Sequence, residues 1–459
     1  MTEAERLVRR MLATLLQASA DAPGVTRDAY GPGEAAAHAI AASEARAMGA
    51  EIATDVAGNL YMTLPGADRA RPVFLTGSHL DSVPHGGNFD GAAGVVAGLA
   101  AMADLRARGV VPPQDLTVVA FRAEEAAWFP LSYPGSLAAL GRLPPKALQA
   151  SRADTGRSLA DHMAAAGFDP GAVARGVPYL VPGRVAAFVE VHIEQGPVLI
   201  GRGLALGIVT AINGGFRHTA ARVRGEWAHS GATPFGYRRD AALALADLMM
   251  RLQGWWAARE AAGERLTVTF GCVATDPALH GGSRVAGDVT FALDLRAGAE
   301  ATLDLAAQAL REIAEGVAAD HGVTIDLGPR FDWDAVACDP ALVNRMADAA
   351  TALSLPHLRM PSGAGHDAAA LAGAGIPAAM IFVRNANGSH NPDEAMEPAD
   401  LDLAVALLVR LAETPCDVPP DQAKQGTAAV QTPFGVPVSL PKTPINLWTS
   451  CLTQREPGP

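Results

Sequence analysis

Apolar runs long enough for one strand recur along the chain, and each stops at a residue able to do chemistry. The run 73–78 ends at His79 and Asp81, and 116–121 precedes Glu124 and Glu125. The run 185–191 ends at His192, and 378–383 leads into a short loop carrying His390. From about residue 56 to 208 such runs alternate with helix-like stretches, the pattern of an α/β sheet. Residues 1–55 read as helical, with an Ala-rich apolar stripe. The character changes over 209–325. Strand-like 219–223, helix-like 239–261, strand-like 266–270 and 289–295, and amphipathic 299–320 follow one another there. Two β-α-β pieces in series predict a small α+β domain of ferredoxin-like type. The α/β alternation resumes over 326–412, so the second domain is expected to be inserted into the first, between 1–208 and 326–412. Residues 413–459, with many Pro, Thr and Gln and no sustained period, predict an irregular tail.

A chain of 459 residues exceeds one ordinary core, which agrees with two domains. Hydrophobic content of 49% and charged content of 18% describe a globular chain. A formal charge of −12 with no basic run argues against a nucleic-acid partner. Cys272, Cys338, Cys416 and Cys451 are spread widely without a C-x-x-C pair, so reduced cysteines in a cytoplasmic protein are expected. The N-terminus reads as an amphipathic helix rather than a signal peptide. The longest uncharged apolar run, 91–103, is too short to span a bilayer.

Ligand sites in open α/β sheets gather at the carboxyl ends of strands. Three His and three or four carboxylates converging there form the ligand set of a pair of divalent metals, an arrangement that usually serves hydrolysis. An imidazole leaving a strand end, as at His79, is free to meet a metal, and Asp81 can orient it. The two oxygens of Asp90 can bridge two ions; the bland alternative is that Asp90 caps the helix that follows. Adjacent carboxylates at Glu124 and Glu125 repel unless a cation sits between them. A division of labour fits, with Glu125 ligating metal and Glu124 taking a proton from water. His192-Ile193-Glu194 also begins the zinc-deaminase signature, but the required Pro-Cys-x-x-Cys is missing. Neither H-E-x-x-H nor G-x-S-x-G occurs, and the glycines of 91–98 form no dinucleotide fingerprint.

Several segments carry a resemblance: Gly77-Ser78-His79-Leu80-Asp81-Ser82-Val83, Gly87-Asn88-Phe89-Asp90-Gly91, Phe121-Arg122-Ala123-Glu124-Glu125 and Val191 to Pro197. Further ones are Ala228-His229-Ser230-Gly231-Ala232-Thr233-Pro234, Asp294-Leu295-Arg296, Ser362-Gly363-Ala364-Gly365-His366-Asp367-Ala368 and Gly388-Ser389-His390-Asn391-Pro392. In order and spacing they resemble the amidase, or hydantoinase/carbamoylase, branch of the di-zinc aminoacylase and carboxypeptidase superfamily. N-carbamoyl-L-amino acid hydrolases, allantoate amidohydrolases and β-ureidopropionases belong to that branch. The resemblance implies a mixed-sheet α/β catalytic domain of di-zinc exopeptidase type, with the inserted domain used to form a homodimer.

It further implies two divalent ions per subunit, usually zinc, although N/O donors also accept manganese, cobalt or nickel. His79 and His192 would hold one ion, Glu125 and His390 the other, with Asp90 between them. Asp81 would support His79, and Glu124 would be general base and then acid. His229 would reach the partner subunit's site to polarise the scissile carbonyl. Arg296 and Arg217 would grip the substrate carboxylate, and Gln195, Ser283 and Gly363 would line the pocket. His85, His218, His280 and His366 receive no role. Two departures stand out. The family's cation near 128 is replaced by Trp128, and Ser283 stands where an Asn is usual. The expected activity is hydrolysis of the linear C–N bond of an N-carbamoyl-L-amino acid or related ureido acid to amino acid, CO2 and ammonia. Allantoate or β-ureidopropionate hydrolysis comes next, then N-acyl amino acid or dipeptide hydrolysis. A non-catalytic metal- or amino-acid-binding protein is the alternative of another class, against which the intact Glu124 and ligand set speak.

Overall fold

The four runs that end in candidate ligands become four neighbouring parallel strands. In a computed structural model that describes residues 1–416, Leu116–Phe121, Val73–His79, Val185–Ile193 and Ala378–Val383 lie side by side in that order. They are buried on both faces almost throughout, which is why they read as unbroken apolar runs rather than as alternation. Antiparallel strands extend the sheet on both sides. Leu60–Leu64 pairs with Leu116–Phe121, and Glu51–Thr54 follows at the edge. On the other side Leu206–Ile212 pairs with Ala378–Val383, and Val336–Ala337 and His357–Ser362 pair with Leu206–Ile212. The result is a mixed nine-stranded sheet.

The helix Ala92–Ala107 is apolar all round, because it packs between the sheet and the helices Glu3–Ser19 and Pro398–Ala412. Glu3–Ser19 starts at a capping box of Thr2 and Glu5, and it buries the stripe Leu7, Val8, Met11, Leu12 and Leu15. The helical reading of 1–55 needs two corrections: Ala20–Asp21 pairs with Gly24–Val25, and Glu51–Thr54 is an edge strand. With one face on solvent it lacks the apolar run that marks the central strands.

Within the described residues the chain divides into two compact units, 1–210 with 337–416, and 211–336. In the second unit Gly214–Arg224, the helix Ala241–Ala261, Leu266–Thr275, Asp288–Ala297, the helix Glu300–His321 and Thr324–Asp326 follow in βαββαβ order. All strand pairs are antiparallel, in the spatial order Leu266–Thr275, Asp288–Ala297, Gly214–Arg224, Thr324–Asp326. Leu245, Leu248, Leu252, Leu303, Leu310 and Val317 of the two helices join Phe216, Phe291, Leu293 and Leu295 of the sheet in one core. This unit runs to 336 rather than stopping at 325, because Arg330–Trp333 also pairs with Gly214–Arg224.

Among the described residues no helix is long and apolar enough to cross a membrane, and Cys272 and Cys338 form no disulfide. The helix Pro398–Ala412 closes the first unit's helical layer; most of the expected tail lies outside the described residues.

Candidate metal centre

His79, Glu124, Glu125, His192 and His390 all sit at or just beyond the carboxyl ends of the four parallel strands. There the parallel ladder stops and side chains from neighbouring strands converge. His79 turns Nδ1 toward the carbonyl of Asp81 at 3.1 Å and the Asp81 carboxylate at 3.3 Å. Its Nε2 faces Asp90 Oδ1 at 3.5 Å and Glu124 Oε2 at 3.9 Å. His192 Nδ1 meets the Ile193 carbonyl at 2.9 Å, and its Nε2 lies 3.1 Å from Asp90 Oδ1. A carbonyl on Nδ1 fixes the proton there and leaves Nε2 as the donor for a metal. Gly91, at φ 64°, passes so close to His79 that any Cβ would run into the imidazole.

Asp90 stands between two groups. Oδ1 faces His79 and His192, whereas Oδ2 faces His390 Nε2 at 3.5 Å. Glu125 Oε1 lies 3.2 Å from that same His390 nitrogen. Two sets of donors therefore share Asp90: His79, Asp90 and His192, and Asp90, Glu125 and His390. Within each set the ligand atoms lie within 4.8 Å of one another; His79, Glu124 and Glu125 form a third such set. The helix-cap alternative for Asp90 fails, since Gly91 is the cap and no side chain caps that end. Asp90 Oδ1 is buried with no hydrogen-bond partner. An orphaned carboxylate oxygen is costly unless a cation meets it. A hard oxygen flanked by two imidazole Nε2 atoms fits a divalent transition ion.

The electrostatics agree. Burial alone would hold the His79 imidazole below its usual range, but the carboxylates of Glu124, Asp81 and Asp90 around it raise it well above. His192 is raised by Asp90 against the same burial. His390 is pushed up to about 9, first by its hydrogen bond with Glu125. Burial lifts the Glu124 carboxyl well above the usual range, with Glu125, Asp367 and Asp81 adding to it. A cluster that draws protons this strongly is short of positive charge, which metal ions would supply.

Other residues support this group. Asp81 accepts the N–H of Glu124 on one oxygen and that of Glu125 on the other, both at 3.0 Å. It thus orients both the imidazole and the Glu124-Glu125 peptide; the sequence suggested only the first task. Ala123 before them is left-handed, φ 56°, and its N–H is held by fully buried Glu34 at 2.8 Å. Glu34 also pairs with Arg122 at 2.7 Å. Glu34 lies far away on the helix Pro32–Ala47, and no local signal singled it out. Gln195 donates Nε2 to Asp90 Oδ2 at 2.7 Å, and its own Oε1 is buried without a partner. Trp128 is buried, donates its indole N–H to the Ser82 carbonyl at 2.7 Å, and carries the Arg152 guanidinium over its ring at 4.6 Å. The ring therefore braces the loop after His79. The His366 ring packs at a tilt against His192, centroids 4.5 Å apart, and bonds Ser362 Oγ at 2.9 Å; burial holds it well below its usual range, and it joins none of the donor sets. Gly363 is exposed at the end of His357–Ser362.

The remaining candidates belong to the second unit. Arg217 and Arg296 both bind Asp294, each through Nε at 2.8 Å, and both lie over the Trp333 ring at 5.6 and 5.5 Å. His229 is exposed on a short strand pair opposite Arg284, next to Ser283, whose carbonyl accepts the Ser230 N–H at 3.0 Å. His229 Nδ1 accepts the N–H groups of Gly231 and Ala232, at 3.1 and 3.2 Å, so the ring proton sits on Nε2.

Residues 75–414 match the model of peptidase family M20/M25/M40. The chain belongs to this family. Over 410 residues the M20 chain is 36% identical to an N-carbamoyl-L-amino acid amidohydrolase of Geobacillus stearothermophilus, covering 89% of this chain and 97% of that one. It is 34% identical over 411 residues to the allantoate amidohydrolase of Escherichia coli K12, with the same two coverages. The solved structure of a hydantoinase/carbamoylase family amidase from Burkholderia ambifaria matches the M20 chain with a TM-score of 0.79 at 33% identity, over 90% of this chain and 97% of that one.

Proposed function

We propose that this M20 chain hydrolyses the linear C–N bond of an N-carbamoyl-L-amino acid or a related ureido acid, giving amino acid, CO2 and ammonia. The observation that carries this reading is Asp90, whose two oxygens face two donor sets with Glu124 beside them. The 36% identity to a carbamoyl amino acid amidohydrolase over nearly full length selects the substrate class. His79, His192 and Asp90 would hold one ion, and Asp90, Glu125 and His390 a second; the mixed N/O donors suit zinc and also admit manganese, cobalt or nickel. Ions bound there would supply a water acidified to a pKa of about 7 and polarise the substrate carbonyl.

The rest falls to the chain's own groups. Glu124, buried within 3.9 Å of His79 Nε2, takes the proton of the attacking water and returns it to the leaving nitrogen. His229, with its proton on Nε2, is a neutral donor suited to an oxyanion. Arg296 and Arg217 have planar forks for the substrate carboxylate, and Asp294 keeps them aligned. The unpartnered Oε1 of Gln195 suits a ureido N–H. Ser283 and Gly363 are assigned to the pocket wall on the family resemblance alone. Allantoate is the second reading, favoured by the E. coli relative.

The working unit in this proposal is a homodimer. Leu266–Thr275 is the edge strand of its sheet, ten residues long and without a charge. Such an edge invites pairing with a copy of itself. The decisive experiment is a screen of carbamoyl, ureido and acyl acids for ammonia or amine release, with and without chelator, on the parent and two variants. Glu124→Gln should lower kcat by roughly 10²–10⁴-fold with normal metal content, the scale of a lost general base. Glu125→Gln should instead weaken metal uptake. Equal metal loss in both variants, with activity of Glu124→Gln restored by excess zinc, would refute this division of roles.

A further inference from the structure

Glu394 lies in the loop of His390, is 7% exposed, and has no part in the roles above. One of its oxygens accepts the N–H groups of Phe89 at 2.8 Å and Asp90 at 3.2 Å. The other meets the Ser389 hydroxyl at 2.5 Å, and that hydroxyl is also in hydrogen-bond reach of Asp90 Oδ2. The chain 87–90 is shaped around this carboxylate. A Cβ at Gly87 would collide with it, although Gly87 has ordinary backbone angles that a side chain would tolerate. The loop that presents it is braced independently. Ala386 and Ala395 pair through both backbone groups, at 2.7 and 3.1 Å. The Asn391 side chain holds the carbonyls of Asn387 and Ser389 at 2.9 and 3.1 Å. A carboxylate buried this deeply is tolerated only where its oxygens are hydrogen-bonded, as both are here.

We infer that Glu394 is a positioning residue that locks the Asp90 loop to the His390 loop, and so holds together the donor set Asp90, Glu125 and His390. His79 and His192 are positioned by other partners, the carbonyls of Asp81 and Ile193. Losing Glu394 should therefore loosen the set Asp90, Glu125 and His390 most, and reach the set of His79 and His192 only through the shared Asp90. Both of its oxygens are engaged by N–H and O–H groups that set ligand geometry, which is how a residue acts on a metal without touching it.

The inference rests on the two-ion reading of the site, and zinc uptake by the full chain separates the two. Metal-free parent, Glu394→Ala, Glu394→Gln and His390→Ala are titrated with zinc against a chelating indicator, and bound metal is counted by elemental analysis. Glu394→Ala should weaken one of two ions by roughly 10–100-fold, the scale for a lost partner of a ligand, as His390→Ala does more severely, and weaken the other ion, which shares only Asp90 with it, clearly less. Glu394→Gln should largely restore uptake, because its carbonyl can accept from Phe89 and Asp90 and its amide can donate to Ser389. A general folding role predicts instead that both ions weaken to the same extent, or that Gln fails as badly as Ala; either result overturns the inference. Two ions of parental affinity in Glu394→Ala overturn it while leaving the two-ion reading intact. A parent that takes up fewer than two ions overturns the reading and the inference with it.

Discussion

Asp367 opens the helix Asp367–Gly373 deep inside the first unit and is fully buried. Desolvation and the neighbouring Glu190 push its carboxyl up to about 8. The folded chain thus keeps a proton that the unfolded chain releases above its ordinary value of 3.8. Below that value both states are protonated and the effect vanishes; across roughly pH 4 to 8 the folded state loses ground as pH rises. Asp367→Asn, which stays neutral at every pH, should raise the melting temperature more at pH 8 than at pH 5. Thermal melts in chelator at both values test this, and an equal shift would mean that Asp367 is ionised in the folded protein. Single residues also show where sequence reading stops. Four of the five proposed ligands were legible because each follows an apolar run, and Asp90 because it stands just before the apolar stretch 91–103. The second task of Asp81 was not, since it depends on a peptide 43 residues away.

Among the elements, the turn after Leu116–Phe121 depends most on distant support. Arg122 and Glu34 form a buried pair, with Ala123 and Tyr30 donating backbone N–H groups to the same carboxylate. Glu34→Gln would leave the Arg122 charge buried without its counter-ion. Breaking such a pair costs about 3–5 kcal/mol, to be read from urea unfolding of the metal-free protein; a change below about 1 kcal/mol would show that water reaches Arg122. The central strands could be read from sequence because burial on both faces writes itself into composition. Glu51–Thr54 could not, because its burial alternates weakly and an Ala-rich helix precedes it.

For the whole molecule, the proposed shared site makes a prediction that no single chain could satisfy. His229→Ala and Glu124→Gln subunits, each inactive alone, are mixed and allowed to exchange. If His229 serves the partner's centre, a heterodimer holds one complete site, and activity returns to at most about half of the parent per heterodimer. No recovery despite exchange shown by mass spectrometry would place His229 in its own subunit's site or outside catalysis.

The α/β class, the change of character near 209 and the positions of the metal-capable residues were in the sequence by itself. Strand periodicity and the chemistry at strand ends are local properties, set within a few neighbouring residues. The tertiary structure alone decided which oxygen of Asp90 faces which imidazole, that Trp128 braces the loop after His79, and that Glu394 reaches across 304 residues to the Asp90 backbone. Each of these is a hydrogen bond or close approach between segments distant in sequence. The partner is chosen by how the sheet brings strand ends together, and no local pattern records that choice.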